Sequence, residues 1–219
     1  MFGMTIEDLR EVNIFYLDHN PAIAAESHCD RHVVKMIVET AQLLSTAWHV
    51  LAADAVSQSI GSTDPAYIST YSRVKEKEAR LAPGLIFYLG NQRIYGCTHE
   101  HHPSAKWARE TTGNYDWLWR MGMGLLFEYT HRYGKRHATT DVMRTLELPP
   151  PDAPDAPQSE PPLAMAEEFY VADAAGYADA VASYRRYYRD GKRHLLTYTR
   201  RPPPAWACDI ARHKEVLSK

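Results

Sequence analysis

His28-Cys-Asp-Arg-His32-Val-Val-Lys35-Met-Ile-Val-Glu39-Thr-Ala-Gln42-Leu-Leu-Ser-Thr46-Ala47 is the stretch that decides the fold class. Wound at 100° per residue, His28, His32, Lys35, Glu39, Gln42 and Thr46 fall within an arc of about 80°. Every residue in that arc is polar, while Val33, Val34, Met36, Ile37, Val38, Ala41, Leu43 and Leu44 fill the rest. A surface helix shows a broader face rich in Lys and Glu. A narrow polar strip carrying two histidines on an otherwise apolar helix either lines a cleft or forms a thin solvent seam. In a cleft, Glu39 is a candidate general acid or base, and Lys35, one turn away, its ion-pair partner or an amine nucleophile. His32 suits phosphate binding or proton relay. Asp30 has a plainer role open to it, because Ser27-x-x-Asp30 fits a capping box. Cys29 reads as a small buried side chain.

Outward from this helix the chain reads as mainly α, a compact helical domain over 1–219 with one short N-terminal strand and a small hairpin. Asn13-Ile-Phe-Tyr-Leu17 is the strand, β-branched and aromatic. Asn20-Pro21 opens a helix that runs to about Ala52 with a break near Ser27. Asp64-Pro65 opens another to about Leu81, stopped by Pro83-Gly84, and the hairpin spans Leu85–Leu89 and Arg93–Tyr95. Helices are expected from Pro103 to Thr111, from Asn114 to Tyr133 with Gly134 as the stop, from Asp141 to Leu146, and from Ala174 to His194. Between the last two, Pro149–Pro162 holds seven prolines in 14 residues and reads as an extended surface linker, 148–162.

The 219 residues suffice for one sizeable core at about 150 residues per domain. With 45% hydrophobic and 24% charged residues, the composition is that of an ordinary globular chain. No apolar run reaches the roughly 18 residues a membrane span needs, and the N-terminus lacks a signal-peptide layout. Cys29, Cys97 and Cys208, odd in number and far apart, argue for a reducing compartment. The formal net charge of −2 hides a separation of sign. No Lys or Arg occurs from Thr145 to Ala180, against eight acids, whereas Ser183–Lys219 carries ten bases and three acids, a net of +7. Arg185, Arg186, Arg189, Arg200 and Arg201, interleaved with tyrosines and Trp206, are candidate nucleic-acid contacts. The plainer reading of 183–219 is a solvated basic helix whose tail packs on the body.

Cys97-Thr-His-Glu-His-His102-Pro has no CxxC or HExxH spacing, so no metal site is expected. His99 and His102 are instead read as polar residues at a helix start that face the cleft. Trp107, Arg109, Asn114, Tyr115, Trp117 and Trp119 follow within 13 residues. Arg109, Asn114 and an aromatic wall suit a planar ligand such as a nucleobase. Gly124 permits close approach of a neighbour. Glu128, between Phe127 and Tyr129, requires a partner, and a structural ion pair with Arg109 or Lys35 is its plainer role. No GxxxxGK[ST], GxGxxG or GxSxG motif is present, so no nucleotide or dinucleotide cofactor is implied.

The pattern NIFYLDHNP…HCDRHVVKMIVETAQLLSTA, then THEHHPSAKWARETTGNYDWLW, then EYTHRYGKRH, resembles a family of uncharacterised proteins encoded by tailed bacteriophages. The resemblance runs from Val12 to about His137 and resumes at Pro162-Leu-Ala-Met-Ala-Glu-Glu-Phe-Tyr170, the Tyr-rich helix and Pro204-Ala-Trp206. It implies a phage origin and the host cytoplasm. It also makes residues 1–11 an N-terminal extension, or a mis-called start, and 53–95 an insertion. A second, local likeness concerns mechanism. Asp30-Arg-His32 followed seven residues later by Glu39, on the helix after an N-terminal strand, resembles the phage pyrimidine-dimer DNA glycosylases (endonuclease V). That likeness implies that Glu39 is catalytic, that His32 lies at the DNA, and that Tyr198–Trp206 plays the basic aromatic tail. Those enzymes use an N-terminal amine as nucleophile. In a chain starting at Val12 the amine adjoins the strand; otherwise Lys35 or a water activated by Glu39 takes its place.

Three functions are therefore in view. The first is a phage enzyme acting on a modified or damaged base in DNA, by glycosidic cleavage or group transfer, with catalytic Glu39, His32 and Lys35. Its substrate-binding residues are Asp30, His99, His102, Arg109, Asn114, Trp117 and Glu128. The second is an enzyme on free nucleotides or another small phosphorylated substrate. The third is a non-enzymatic phage interaction protein. The enzyme readings, with all of these residues at one site, require His32, Glu39, His102, Arg109 and Glu128 to converge on one pocket, and fail in that form if the residues point into separate environments.

Overall fold

The computed structural model describes residues 12–58, 88–89, 92–208 and 212–213. The N-terminal extension, the helix expected over 64–81 and most of the insertion 53–95 lie outside the described residues. The protein is mainly α. Among the described residues no helix is long and apolar enough to cross a membrane.

Asn20 caps helix α1 (Pro21–Ser27) by accepting the Ala22 N–H, with Pro21 in the first turn, where a missing N–H costs nothing. The chain breaks at His28-Cys29 and restarts as α2 (Asp30–Gln58). A two-residue antiparallel pair follows, β1 (Tyr88–Leu89) with β2 (Gln92–Arg93), which is the described part of the expected hairpin. Helix α3 (Pro103–Glu110) is capped by His102, and Thr111 caps α4 (Thr112–Tyr133) through the Asn114 N–H. Gly134 ends α4 in the left-handed region at φ 65°. A short α5 (Thr140–Thr145) leads into the proline-rich stretch.

Helices α1, α2, α3 and α4 pack on one another to form the core. Met36, Ile37, Leu43 and Leu44 of α2 and Leu118, Met121 and Leu125 of α4 are buried there. Each contributes about 1.5–3 kcal/mol by leaving water. The helices cross closely because α4 carries glycine at the crossings. A Cβ at Gly124 would stand 2.8 Å from the Ala25 Cβ of α1, and one at Gly122 would stand 2.7 Å from the Thr40 methyl of α2. The indole N–H groups are pinned to backbone carbonyls: Trp107 to Ser159, Trp117 to His19 and Trp119 to Met143. The Trp48 indole instead donates to the Tyr115 hydroxyl.

Three expectations are corrected. Asn13–Leu17 is not a strand: it is a buried extended segment with no ladder partner among the described residues. The Asn13 side chain takes the Ile14 and Phe15 N–H groups that a neighbouring strand would have taken, and Phe15 turns to φ 40°. The proline-rich segment is extended, yet it is a docked strap rather than a loose linker. Thr112 and Gly113 donate to the Pro154 and Ala156 carbonyls, and the Asn114 amide exchanges two hydrogen bonds with Ser159. The helix expected over 174–194 is shorter. Helix α6 (Ala180–Arg186) passes into a π turn at Tyr187–Gly191 and a 3-10 turn at Arg193–Leu195. Beyond it, β3 (Thr197–Tyr198) pairs in parallel with β4 (Arg212–His213).

Candidate active site

The extended N-terminal segment threads between α2 and the aromatic face of α3 and α4, presenting successive side chains to opposite sides. Tyr16 packs on Trp117, with ring centres 4.4 Å apart, and edge-on to Trp107. Phe15 turns the other way and stacks on His32 at 4.5 Å with 23° between the ring planes. The Asn13 amide nitrogen lies 3.4 Å from Glu39 Oε2, and its side chain donates to the Ala164 carbonyl.

Glu39 is the centre of this group. Its Oε1 is 3.0 Å from Lys35 Nζ, one turn earlier on α2. The carboxylate side chain is 10% exposed and the lysine 27%, so the pair spans the boundary between interior and solvent. Burial pushes the Glu39 carboxyl above its ordinary value, and this outweighs the opposing pull of the Lys35 charge and hydrogen bond and of the Asn13 N–H. A carboxyl poised upward beside an amine suits proton exchange between the two. His32 lies on the same face of α2, nearly two turns before Glu39, with its Nδ1 2.8 Å from the Tyr188 hydroxyl, which also accepts the Cys29 N–H. Burial raises the Cys29 thiol, as a buried structural cysteine requires.

Asp30 and Glu128 belong to a second cluster, which binds the C-terminal segment to the body. Arg132 of α4 is fully buried, and each of its three nitrogens has a hydrogen-bond partner. Its Nε and Nη2 reach Glu128 Oε2 at 3.0 and 2.9 Å, Nη2 also donates to the Glu26 carbonyl, and Nη1 reaches the His28 carbonyl and Asp30. Arg201 closes on Glu128 from the other side, and the Thr199 N–H and hydroxyl both donate to Asp30. Glu128 therefore has its ion pairs with Arg132 and Arg201, not with Arg109 or Lys35. Asp30 begins α2, but Ser27 is the last residue of α1 and not its N-cap, so the capping box expected at Ser27-x-x-Asp30 is not formed, and the Asp30 carboxylate is spent on this clasp.

His99, His102 and Arg109 form a third environment. His102 Nδ1 caps α3 by accepting the Ser104 N–H, and His99 bonds the Thr98 hydroxyl. Arg109 donates to the Ala105 and Glu100 carbonyls. Together with Lys106, Glu110, Asp152 and Glu160 it borders an open groove of about 690 Å³ that also reaches Val50. Val50 lies 11 residues beyond Glu39 on α2, about 16 Å along the axis. Asn114 and Trp117 are committed inside the fold, the first to the Trp107 carbonyl and Ser159, the second to the His19 carbonyl. The expected single cleft is thus corrected: Lys35 pairs with Glu39, His32 packs with Phe15 and Tyr188, and Glu128 with Asp30, and His102 with Arg109, stand in separate surroundings. The polar arc of α2 is shared out along the helix length, as Thr46 bonds Thr98 and His49 bonds the Tyr95 carbonyl. Among the described residues no group of three or more His, Cys, Asp and Glu is placed to hold a metal ion.

The basic segment divides likewise. Arg185 donates to the Leu17 carbonyl and Asp18 and lies over Trp206. Arg201 is held by Glu128, and Arg189 pairs with its neighbour Asp190. Arg186 and Arg200 remain exposed. Trp206 reaches the group around His32 through Tyr188, with ring centres 6.0 Å apart.

Asn13, Phe15 and Tyr188 were missed as members of the site. In the sequence Asn13 and Phe15 read as strand residues, and Tyr188 as one of several tyrosines among bases. No family model, curated protein or solved structure matches the chain in the comparisons made.

Proposed function

We propose that the protein is a phage enzyme that cleaves the glycosidic bond of a modified or damaged base in DNA, acting in the host cytoplasm. The observation that carries this reading is the Glu39 carboxylate, buried and raised, set between Lys35 Nζ and the Asn13 backbone nitrogen. His32 sits two turns earlier on the same helix, in the order of the phage pyrimidine-dimer glycosylases. Glu39 takes a proton from Lys35, and the freed amine attacks the sugar C1′. The N–C1′ bond forms as the bond from C1′ to the base breaks, and the departing base takes the proton held by Glu39. Opening of the sugar at O4′, with transfer of a proton from the amine nitrogen, leaves a protonated imine. The exposed Arg186 and Arg200 supply positive charge for the phosphates.

Borohydride trapping on duplexes that carry damaged or hypermodified pyrimidines tests the chemistry. A covalent protein–DNA adduct that is lost in Lys35→Ala is the expected result. Were a chain begun at Asn13, its α-amine would stand 3.4 Å from Glu39 Oε2. An adduct formed by that shortened chain alone would assign the nucleophile to the terminus. Glu39→Gln is expected to abolish turnover and retain DNA binding; undiminished activity overturns the assignment. A salt-independent affinity for DNA would point instead to a mononucleotide substrate.

A further inference from the structure

Tyr129-Thr-His-Arg-Tyr133-Gly-Lys-Arg-His137 takes no part in the chemistry above. Its rings belong to a line of contacts whose two ends rest on α2. The Tyr133 hydroxyl donates to the Asp30 carbonyl at 3.0 Å, and the Tyr133 ring lies 5.0 Å from that of Tyr129. Tyr129 meets His137 edge to face at 4.8 Å. His137 Nδ1 accepts the Thr139 N–H, the Thr139 hydroxyl bonds that of Tyr95 at 2.9 Å, and the Tyr95 N–H donates to the Ser45 hydroxyl. Asp30 and Ser45 are 15 residues apart on α2, so the row runs beside about 22 Å of that helix. Tyr95, Tyr129, Tyr133 and His137 are half-buried, and the three tyrosines are rooted in the core.

Next to the row lies the open strip of α2. Beyond Asp30, the residues open to solvent as far as Gln42 are Arg31, Val34, Lys35, Val38 and Gln42, within an arc of about 100°. Asp30 lies to the Val34 side of this arc and Glu39 to the Lys35 side, so the strip separates the aromatic row from the Glu39 carboxyl. Val34, 40% exposed, and Val38 give it an apolar floor. Arg31 and Lys135 are exposed cations with no ion pair among the described residues. The acids beside the row are already neutralised, Asp30 by Arg132 and Asp141 by Arg136. Burial lowers His137, which leaves its ring uncharged at pH 7.

Aromatic rings in a row beside cations are what holds an unpaired strand: bases stack on the rings whatever their sequence, and the cations follow the phosphates. A paired duplex offers no such faces, because its bases stack on one another. We propose that this face is a track for an unpaired stretch of DNA, with bases on Tyr133, Tyr129 and Tyr95 and phosphates at Arg31 and Lys135, leading the strand past the Glu39 carboxyl. The row is long enough for about four nucleotides. The choice of DNA rests on the function proposed above; the stacking track does not.

Fluorescence anisotropy of the full chain tests the track, with a duplex of about 20 base pairs either fully paired or carrying about four unpaired thymidines. The probe with unpaired bases is expected to bind at least about tenfold more tightly. Equal affinities overturn the proposal on the parent chain alone. Tyr129→Leu, which keeps an apolar side chain against the core, is expected to cut the preference roughly fivefold, the low end for one base stacked on a ring. A preference that survives undiminished in a folded variant overturns the role of the row. Arg31→Gln should weaken both probes and lower the slope of log affinity against log salt by about one; an unchanged slope removes Arg31 from the track. Tighter binding of an oligouridylate than of an oligothymidylate of equal length overturns the choice of DNA. Preference for unpaired bases without a borohydride adduct keeps the track and sinks the glycosidic reading; an adduct without that preference does the reverse.

Discussion

Lys35 Nζ sits 3.0 Å from Glu39 Oε1, one turn away on α2, yet the carboxyl is raised rather than lowered. The desolvation of Glu39 exceeds what the partly exposed lysine returns. A carboxyl raised in the folded state adds most stability below its ordinary value and loses it as pH rises through the folded value. Glu39→Gln therefore removes an ionisation the fold disfavours and keeps an acceptor for the Asn13 N–H. Its melting temperature at pH 7 is expected to equal or exceed that of the parent, even as turnover is lost. A drop of several degrees in a thermal melt would make the pair a structural one.

His28 sets an acid limit on stability. Burial, helped by the Arg132 charge and opposed by the Ala24 carbonyl, lowers it from 6.5 to about 4. Between those values the unfolded chain binds a proton that the folded chain refuses, so stability is complete above about pH 6.5 and falls as pH drops toward 4. The full effect is about 3 kcal/mol. Denaturant melts from pH 7 to 4 should show this slope, and His28→Gln should flatten it; an equally steep slope in the variant places its origin elsewhere.

The clasp around Glu128 has unequal halves. Arg132 is fully buried and also ties the Glu26 and His28 carbonyls, whereas Arg201 is partly exposed and leaves Glu128 still paired when removed. Arg132→Met is expected to cost about 3–5 kcal/mol and Arg201→Ala about 1 kcal/mol. Equal losses in urea titrations would contradict this ordering.

Gly113 is the seat of the proline strap. A Cβ there would lie 2.3 Å from the Gln158 nitrogen and 2.7 Å from the Pro157 carbonyl carbon, both backbone. Gly113→Ala should peel the strap from α4, cost about 1–3 kcal/mol, and expose 154–159 to limited proteolysis. A cleavage pattern identical to the parent's would show that the strap is not held there.

The helices were legible because their signals are local: Asn20-Pro21 at the start of α1, the break after Ser27, and Gly134 at the end of α4. So was the neighbourhood of His32, Lys35 and Glu39, since helical geometry alone places them on one face. The division of the remaining site residues was not legible. Glu128 and Arg132 are also one turn apart, but their pairing with Arg201 and Asp30 joins residues 73 and 102 positions distant, which no spacing rule encodes. The strand reading of Asn13–Leu17 failed for a related reason: β propensity describes a half-buried extended chain, and only the tertiary environment says whether a partner strand is there. Here helices and aromatic rings surround the segment, and Asn13 satisfies its turn. The amino-acid order by itself determined the helical class, the starts of α1 and α3, the end of α4 and the polar face of α2. Tertiary packing decided which charges were neutralised inside, that Asn13 reaches Glu39 and that Tyr188 reaches His32, because each depends on contacts between segments far apart in the chain.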